Sequence, residues 1–172
     1  MAEGQEPQGI SLSALMRVLS EPRLQAYRLD AAESPEVMVG RYRWNIALSM
    51  SLYPAIQQVE VALRNNLHRA ASSLLGTDSW YDSIPQILTQ REQDAILAAK
   101  VELSKQRKPA DPDRLVAELT LGFWTSLLSR DYERHFWPRM LSSTFPFMPR
   151  RLRTRATVAG RFQEIRRLRN RI

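Results

Sequence analysis

The chain has 172 residues, 25 Lys and Arg against 18 Asp and Glu, two histidines, no cysteine and a net charge of +7. That length suits one domain with a buried core rather than a multi-domain enzyme, and the absence of cysteine excludes disulfides, iron–sulfur clusters and thiolate zinc sites. With 22 leucines and 17 alanines against eight valines and eight isoleucines, the composition favours helices, because unbranched side chains lose little rotamer freedom there.

Residues 1–9 are polar and acidic, which reads as a disordered leader and not as a signal peptide. Residues 10–172 read as a single helical domain. Ser11 caps a helix to about Leu19, and Glu21-Pro22 opens a second to about Ala32. Ser34-Pro35-Glu36 starts a long helical pattern that runs to Leu75, kinked or broken near Pro54 and ended by Gly76. The most apolar stretch, Ile46 to Leu63, is interrupted by Pro54, Gln57, Gln58 and Glu60, so no bilayer span is expected and the protein reads as soluble and cytoplasmic. Thr89 caps a helix over Gln90–Lys105, and Lys108-Pro109-Ala110-Asp111-Pro112 is a loop. Helices at about 113–129 and 131–141 follow, then a loop framed by Pro146 and Pro149, then a last helix over about 151–172. The expected architecture is an all-α bundle.

The surplus charge sits at one end. Arg150, Arg151, Arg153, Arg155, Arg161, Arg166, Arg167, Arg169 and Arg171 face the single acid Glu164, while the rest of the chain is close to neutral. Such a segment is a solvated helix end that suits the helix dipole, or a face for a polyanion. At 100° per residue, Val158, Phe162, Ile165 and Ile172 form the apolar stripe of the last helix. Arg169 falls in the middle of that stripe, whereas Arg166, Arg167 and Arg171 point elsewhere, and the eight arginines other than Arg169 read as surface residues. An arginine on a core-facing stripe needs an anion, either Glu60 or a phosphate, unless it snorkels to solvent.

On the long helix Ile56, Val59, Leu63, Leu67, Ala70 and Leu74 make a core stripe, with Glu60 on its border. Glu60, Arg64 and His68 then form a ladder at i, i+4 and i+8, which reads as a surface ion-pair row. His135, between Arg134 and Phe136 on an amphipathic helix, reads as structural. Arg41-Tyr42-Arg43-Trp44 mixes bases and aromatics, as single-stranded nucleic-acid sites do, but also fits a helix with its aromatics in the core. No glycine-rich phosphate loop, nucleophile elbow or metal-ligand spacing occurs, so neither metal nor cofactor is expected.

Four segments carry a family resemblance: Arg43-Trp44-Asn45-Ile46-Ala47-Leu48-Ser49, Val59-Glu60-Val61-Ala62-Leu63-Arg64-Asn65-Asn66-Leu67-His68, Leu121-Gly122-Phe123-Trp124-Thr125-Ser126-Leu127-Leu128-Ser129, and Ile165-Arg166-Arg167-Leu168-Arg169-Asn170-Arg171-Ile172. In order and spacing they resemble the bacterial Abi-like (abortive infection) proteins, over nearly the whole chain after about residue 35. The resemblance implies a HEPN-like helical bundle with additional N-terminal and intervening helices, and a metal-independent endoribonuclease of phage defence or toxin–antitoxin systems. In such enzymes the RNA 2′-hydroxyl is the nucleophile, an arginine stabilises the phosphorane and a histidine moves protons. The family's signature is Arg, then commonly Asn, then a histidine a short gap later, at the end of the last core helix. Arg169 and Asn170 match its start, and Glu60, Arg64 and Asn65 resemble the usual neighbours of the site. The histidine of that signature is not present in this sequence, so the expectation is little or no RNA cleavage by these 172 residues, restored by an extension that supplies it. The implied partners are RNA, a second copy in a homodimer with facing last helices, and an antitoxin protein. Two other readings stand beside it: a non-catalytic RNA- or DNA-binding module using the basic C-terminal face, and an interaction scaffold bound by an acidic partner.

Overall fold

The computed structural model describes residues 12–171, and every regular element among them is helical. The expected leader over residues 1–9, the cap at Ser11 and the stripe residue Ile172 lie outside the described residues. In chain order the elements are α1 (Leu12–Leu19), α2 (Glu21–Gln25), α3 (Pro35–Leu75), α4 (Trp80–Ser83), α5 (Gln90–Lys105), α6 (Pro112–Glu118), α7 (Leu121–Ser126), a 3-10 turn (Arg130–Tyr132), α8 (Trp137–Thr144) and α9 (Arg155–Arg169). The all-α reading holds. No described helix is long and apolar enough to cross a membrane.

The chain divides into two compact units, the first ending at Leu52 and the second starting at Tyr53. The division falls within α3, next to Pro54, which has no N–H to give to the preceding turn. In the first unit Leu24, Met38 and Val39 are buried, and Tyr27 packs edge-on against Tyr42 with ring centroids 5.4 Å apart. Arg41 binds Glu33 through both terminal nitrogens and donates a further bond of 3.1 Å to the Tyr27 carbonyl. Glu33 also accepts from the Leu29 N–H at 2.9 Å. The arginine beside it and that N–H hold the Glu33 carboxyl down at about 2.

The second unit carries the main core. Leu63, Leu67, Ala70 and Ala71 of α3 pack into one cluster with Trp80, Leu115, Trp124, Tyr132, Phe136, Trp137 and Val158. The expected stripe on α3 is thus the face that is buried, because side chains three and four residues apart share a side of the helix. Each buried indole finds an acceptor: Trp124 donates to the Leu119 carbonyl at 3.2 Å and Trp137 to the Leu127 carbonyl at 2.9 Å. Gly76 ends α3 at φ 71, in the left-handed region where a Cβ would be strained, and its N–H closes on the Ser72 carbonyl at 2.8 Å.

Four boundaries differ from the periodicity, each for a local reason. The second helix ends at Gln25 rather than near Ala32, where the chain turns to bring Glu33 to Arg41. The helix expected over 113–129 is two, parted at Leu119 and Thr120; their extended backbone turns Leu115, Leu119, Leu121 and Trp124 all into the core. The segment expected as a helix over 131–141 starts as the 3-10 turn that delivers the Tyr132 hydroxyl to Glu92, and α8 begins only at Trp137, with Pro138 in its first turn. His135 therefore sits exposed in a turn and not on an amphipathic helix. Finally, α9 starts at Arg155 and not at 151, because Thr154 is its cap and accepts from the Thr157 N–H at 3.2 Å.

Candidate functional site

The second half of α3 and the last turn of α9 meet at one ion pair. Arg169 Nε lies 3.3 Å from Glu60 Oε2. Glu60 is a border residue, as its angle predicts, with 14% of its side chain exposed against 41% for Arg169. Its Oε2 is fully buried and accepts no hydrogen bond, so the arginine faces it as a charge without completing a directed bond. Arg169 is therefore neither sealed in the core nor loose in solvent; it rests on the rim of the core with an acid beneath it.

One turn along α3, Arg64 is half-buried and held by two long contacts, 3.4 Å to Asn65 Oδ1 and 3.4 Å to the Ala117 carbonyl. Bonds of that length are weak, which leaves the guanidinium free to turn toward a better acceptor. Asn65 is exposed. Asn170 follows Arg169 as the C-cap of α9, its N–H on the Arg166 carbonyl at 3.1 Å. Among the described residues, no hydrogen bond or ion pair joins Arg169 or Asn170 to Arg64 or Asn65. Of the five central residues expected from the resemblance, the fold thus brings Glu60 and Arg169 into contact and sets Arg64 and Asn65 on the adjoining turn.

The ladder does not end as a surface row. Two turns beyond Glu60, about 12 Å along the axis, His68 is half-buried and its Nδ1 accepts the Trp80 indole N–H at 3.1 Å. An Nδ1 that accepts carries no proton, so the neutral ring holds its proton on Nε2. Burial pushes the imidazole below its ordinary pKa, against the opposite pull of Asp78 and Asp113. A cavity of about 420 Å³ opens here, lined by Arg64, Asn65, His68, Ser72, Asp78 and Asp113. Sequence reasoning could not place Trp80 on His68, since the contact crosses the Gly76 turn.

The basic C-terminal segment separates into bound and open arginines. Arg150, Arg151, Arg167 and Arg171 are exposed and have no acid partner among the described residues. Arg161 pairs with Glu164 at 3.2 Å, and Arg153 donates to the Met148 carbonyl at 3.1 Å. Arg155 corrects the expectation that all eight point to the surface: only 10% of its side chain is exposed, its Nη1 donates to the Leu128 carbonyl at 2.9 Å, and its Nε lies 3.3 Å from Glu133. The first turn of α9 packs against the end of α7, which draws that side chain inward. Arg166 is half-buried.

The Arg41–Trp44 quartet splits in a similar way. Arg41 is committed to Glu33 and Tyr42 to Tyr27, whereas Arg43 is exposed and Trp44 is 67% exposed. Only the latter two are available for stacking. No group of three or more metal-ligating side chains occurs among the described residues. Compared with known proteins, the chain matches no family model, no curated protein and no solved structure.

Proposed function

We propose that the protein is an RNA-binding helical bundle of HEPN type, similar to the Abi-like proteins, with its RNA site where Arg169 of α9 meets Glu60 of α3. The single observation that carries this reading is the Arg169–Glu60 pair: a partly exposed guanidinium beside a buried carboxylate oxygen with which it completes no hydrogen bond. A phosphate offers that guanidinium the bidentate, charge-assisted geometry that Glu60 does not supply. Arg64, one turn along the same side of α3, and Asn65 next to it are further donors, and the open arginines 150, 151, 167 and 171 attract the RNA backbone.

In the endoribonuclease chemistry that the resemblance implies, Arg169 stabilises the phosphorane formed by 2′-hydroxyl attack, and a histidine transfers protons. Neither histidine of this chain occupies that position. His68 lies two turns from Glu60 with its Nδ1 taken by Trp80, and His135 is in the turn before α8. The expected behaviour of these residues, with neither histidine at the site, is therefore RNA binding with little cleavage.

The test is fluorescence anisotropy with a short single-stranded RNA in EDTA, comparing the wild type with Arg169→Ala and Arg171→Ala. The expected result is saturable binding that Arg169→Ala weakens about tenfold, the worth of one good charge-assisted contact, while Arg171→Ala costs only its share of the backbone attraction. Equal losses in the two variants would mean a diffuse electrostatic face with no site at Arg169, and would overturn the proposal. The same samples run on a denaturing gel check the second part, where rapid Arg169-dependent cleavage contradicts it.

A further inference from the structure

A second concave site lies in the second unit, built from the start of α5, the end of α7, the 3-10 turn and the first half of α9. It is a cavity of about 260 Å³, small beside the range usual for drug-sized ligands. Arg155, Ala159, Gln163 and Arg166 recur along α9 at the spacing of one helix face, and Ala159, the small member, leaves the space. Arg91, in the first turn of α5, lines the same cavity.

The charges in this cleft are unequal in what they have left to give. Glu92 is 3% exposed, yet its Oε2 accepts from the Thr89 hydroxyl and from the Tyr132 hydroxyl, which itself accepts the Thr89 N–H at 3.2 Å. Burial pushes the Glu92 carboxyl up, but these hydroxyls together with Ser126 outweigh it and hold it below the usual carboxylate range. The other acid, Asp131, is exposed and accepts from the Ser129 hydroxyl at 3.0 Å. Both carboxylates are thus hydrogen-bonded by groups of the protein. The arginines are not balanced in the same way. Arg155 is nine-tenths buried, and its Nε makes no hydrogen bond although Glu133 lies 3.3 Å away. Arg91 and Arg166 have no acid partner among the described residues. Thr125 and Ser126 add hydroxyls to the wall, and α5, 16 residues long, presents the positive end of its dipole there.

We infer that this cleft binds a small dianionic phosphate monoester, gripped by Arg91 and Arg166, with Arg155 adding its charge to the wall. Three arginines lining a cavity of this size suit one terminal phosphate rather than a strand of nucleic acid. That phosphate belongs to a free nucleotide or sugar phosphate, or to the 5′ end of an RNA. The site is independent of the Arg169 reading, since neither Arg169 nor Glu60 lines it.

Isothermal titration calorimetry on the full chain tests it with three probes: a nucleoside 5′-monophosphate, a 5′-phosphorylated RNA trinucleotide, and the same trinucleotide with a 5′-hydroxyl. The expected result is one saturable site for the monophosphate, weakened about tenfold by Arg166→Ala and again by Arg91→Ala. Arg139→Ala, which removes the same charge from an exposed position on α8, changes affinity less than about twofold. Arg166 and Arg91 are chosen because neither holds the fold together, whereas Arg155 does; circular dichroism verifies that both variants stay helical. If the phosphorylated trinucleotide binds better than its hydroxyl twin by an Arg166-dependent margin, the natural source is a strand end; if only the free monophosphate shows the margin, it is a small molecule. Equal affinities for Arg166→Ala and Arg139→Ala, or no saturable binding of either phosphorylated probe, overturn the inference. Arg169→Ala leaves the monophosphate titration unchanged whatever it does to longer RNA, so failure here and failure of the Arg169 site are distinguishable.

Discussion

Both compact units hold arginine–glutamate pairs that join two segments, and the Arg41–Glu33 and Arg169–Glu60 pairs are built differently. In the first unit both terminal nitrogens of Arg41 reach both carboxylate oxygens of Glu33, and a backbone N–H completes the set. In the second, Arg169 approaches Glu60 through Nε alone at 3.3 Å, and the nearest carboxylate oxygen accepts no hydrogen bond. A saturated pair has nothing left for a ligand and holds a turn in place. An unsaturated pair on the rim of the core has a cation ready to exchange its partner. Glu92 belongs with the first kind, because its buried oxygen is shared by Thr89 and Tyr132.

The largest test of that contrast is Tyr132→Phe. It removes the donor to Glu92 and the acceptor of the Thr89 N–H while keeping the ring, so urea unfolding is expected to show a loss of about 1–3 kcal/mol with affinity for a 5′-hydroxyl RNA unchanged. Arg169→Ala is expected to lower RNA affinity about tenfold and to cost stability as well, because it leaves the buried Glu60 oxygen without its cation, whereas Arg41→Ala lowers the melting temperature and leaves RNA affinity alone. If both arginine variants behave alike, bond saturation does not separate structural pairs from functional ones. A finer test is Glu60→Gln. Taking away the competing charge frees Arg169, and RNA affinity should rise a few-fold; a fall assigns Glu60 a direct part in holding RNA.

The smallest effects appear in the dependence of stability on pH. Glu33 lies at about 2 in the fold against an ordinary 4.5, so the stability it contributes is present above 4.5 and is lost as the pH falls toward 2. Glu33→Gln should flatten acid unfolding in that window. Tyr132 shifts the other way: burial and its bond to Glu92 push the phenol up to about 12 from 10, so the folded form stays neutral while an unfolded chain ionises. Stability should therefore drop between about 10 and about 12, and Tyr132→Phe should abolish that part of the alkaline profile.

Much of this arrangement was legible in the order of residues, because it depends on helical periodicity. The stripe from Ile56 to Ala70, the end of α3 at Gly76, the span of α5, and Glu60 as a half-buried partner for Arg169 all follow from placing residues at 100° intervals and reading the caps. Arg169 was distinguishable from its neighbours on the same ground, as the one arginine on the apolar stripe of the last helix.

Contacts across distant segments were not legible. Periodicity places a side chain on a face but does not say what that face meets. Arg155 reads as one more surface arginine until the Leu128 carbonyl and Glu133 are found beside it. His68 reads as the end of an ion-pair row until Trp80, beyond the Gly76 turn, reaches its Nδ1. The cleft of Arg91, Arg155 and Arg166 combines residues from α5 and α9, and no local pattern brings them together. The sequence by itself determined an all-helical chain with its surplus charge at one end, since propensity and periodicity are local properties. Only the tertiary structure decided which of those charges are spent on carbonyls and carboxylates and which remain open to a phosphate, because a hydrogen bond is satisfied or left unsatisfied only once distant segments have packed.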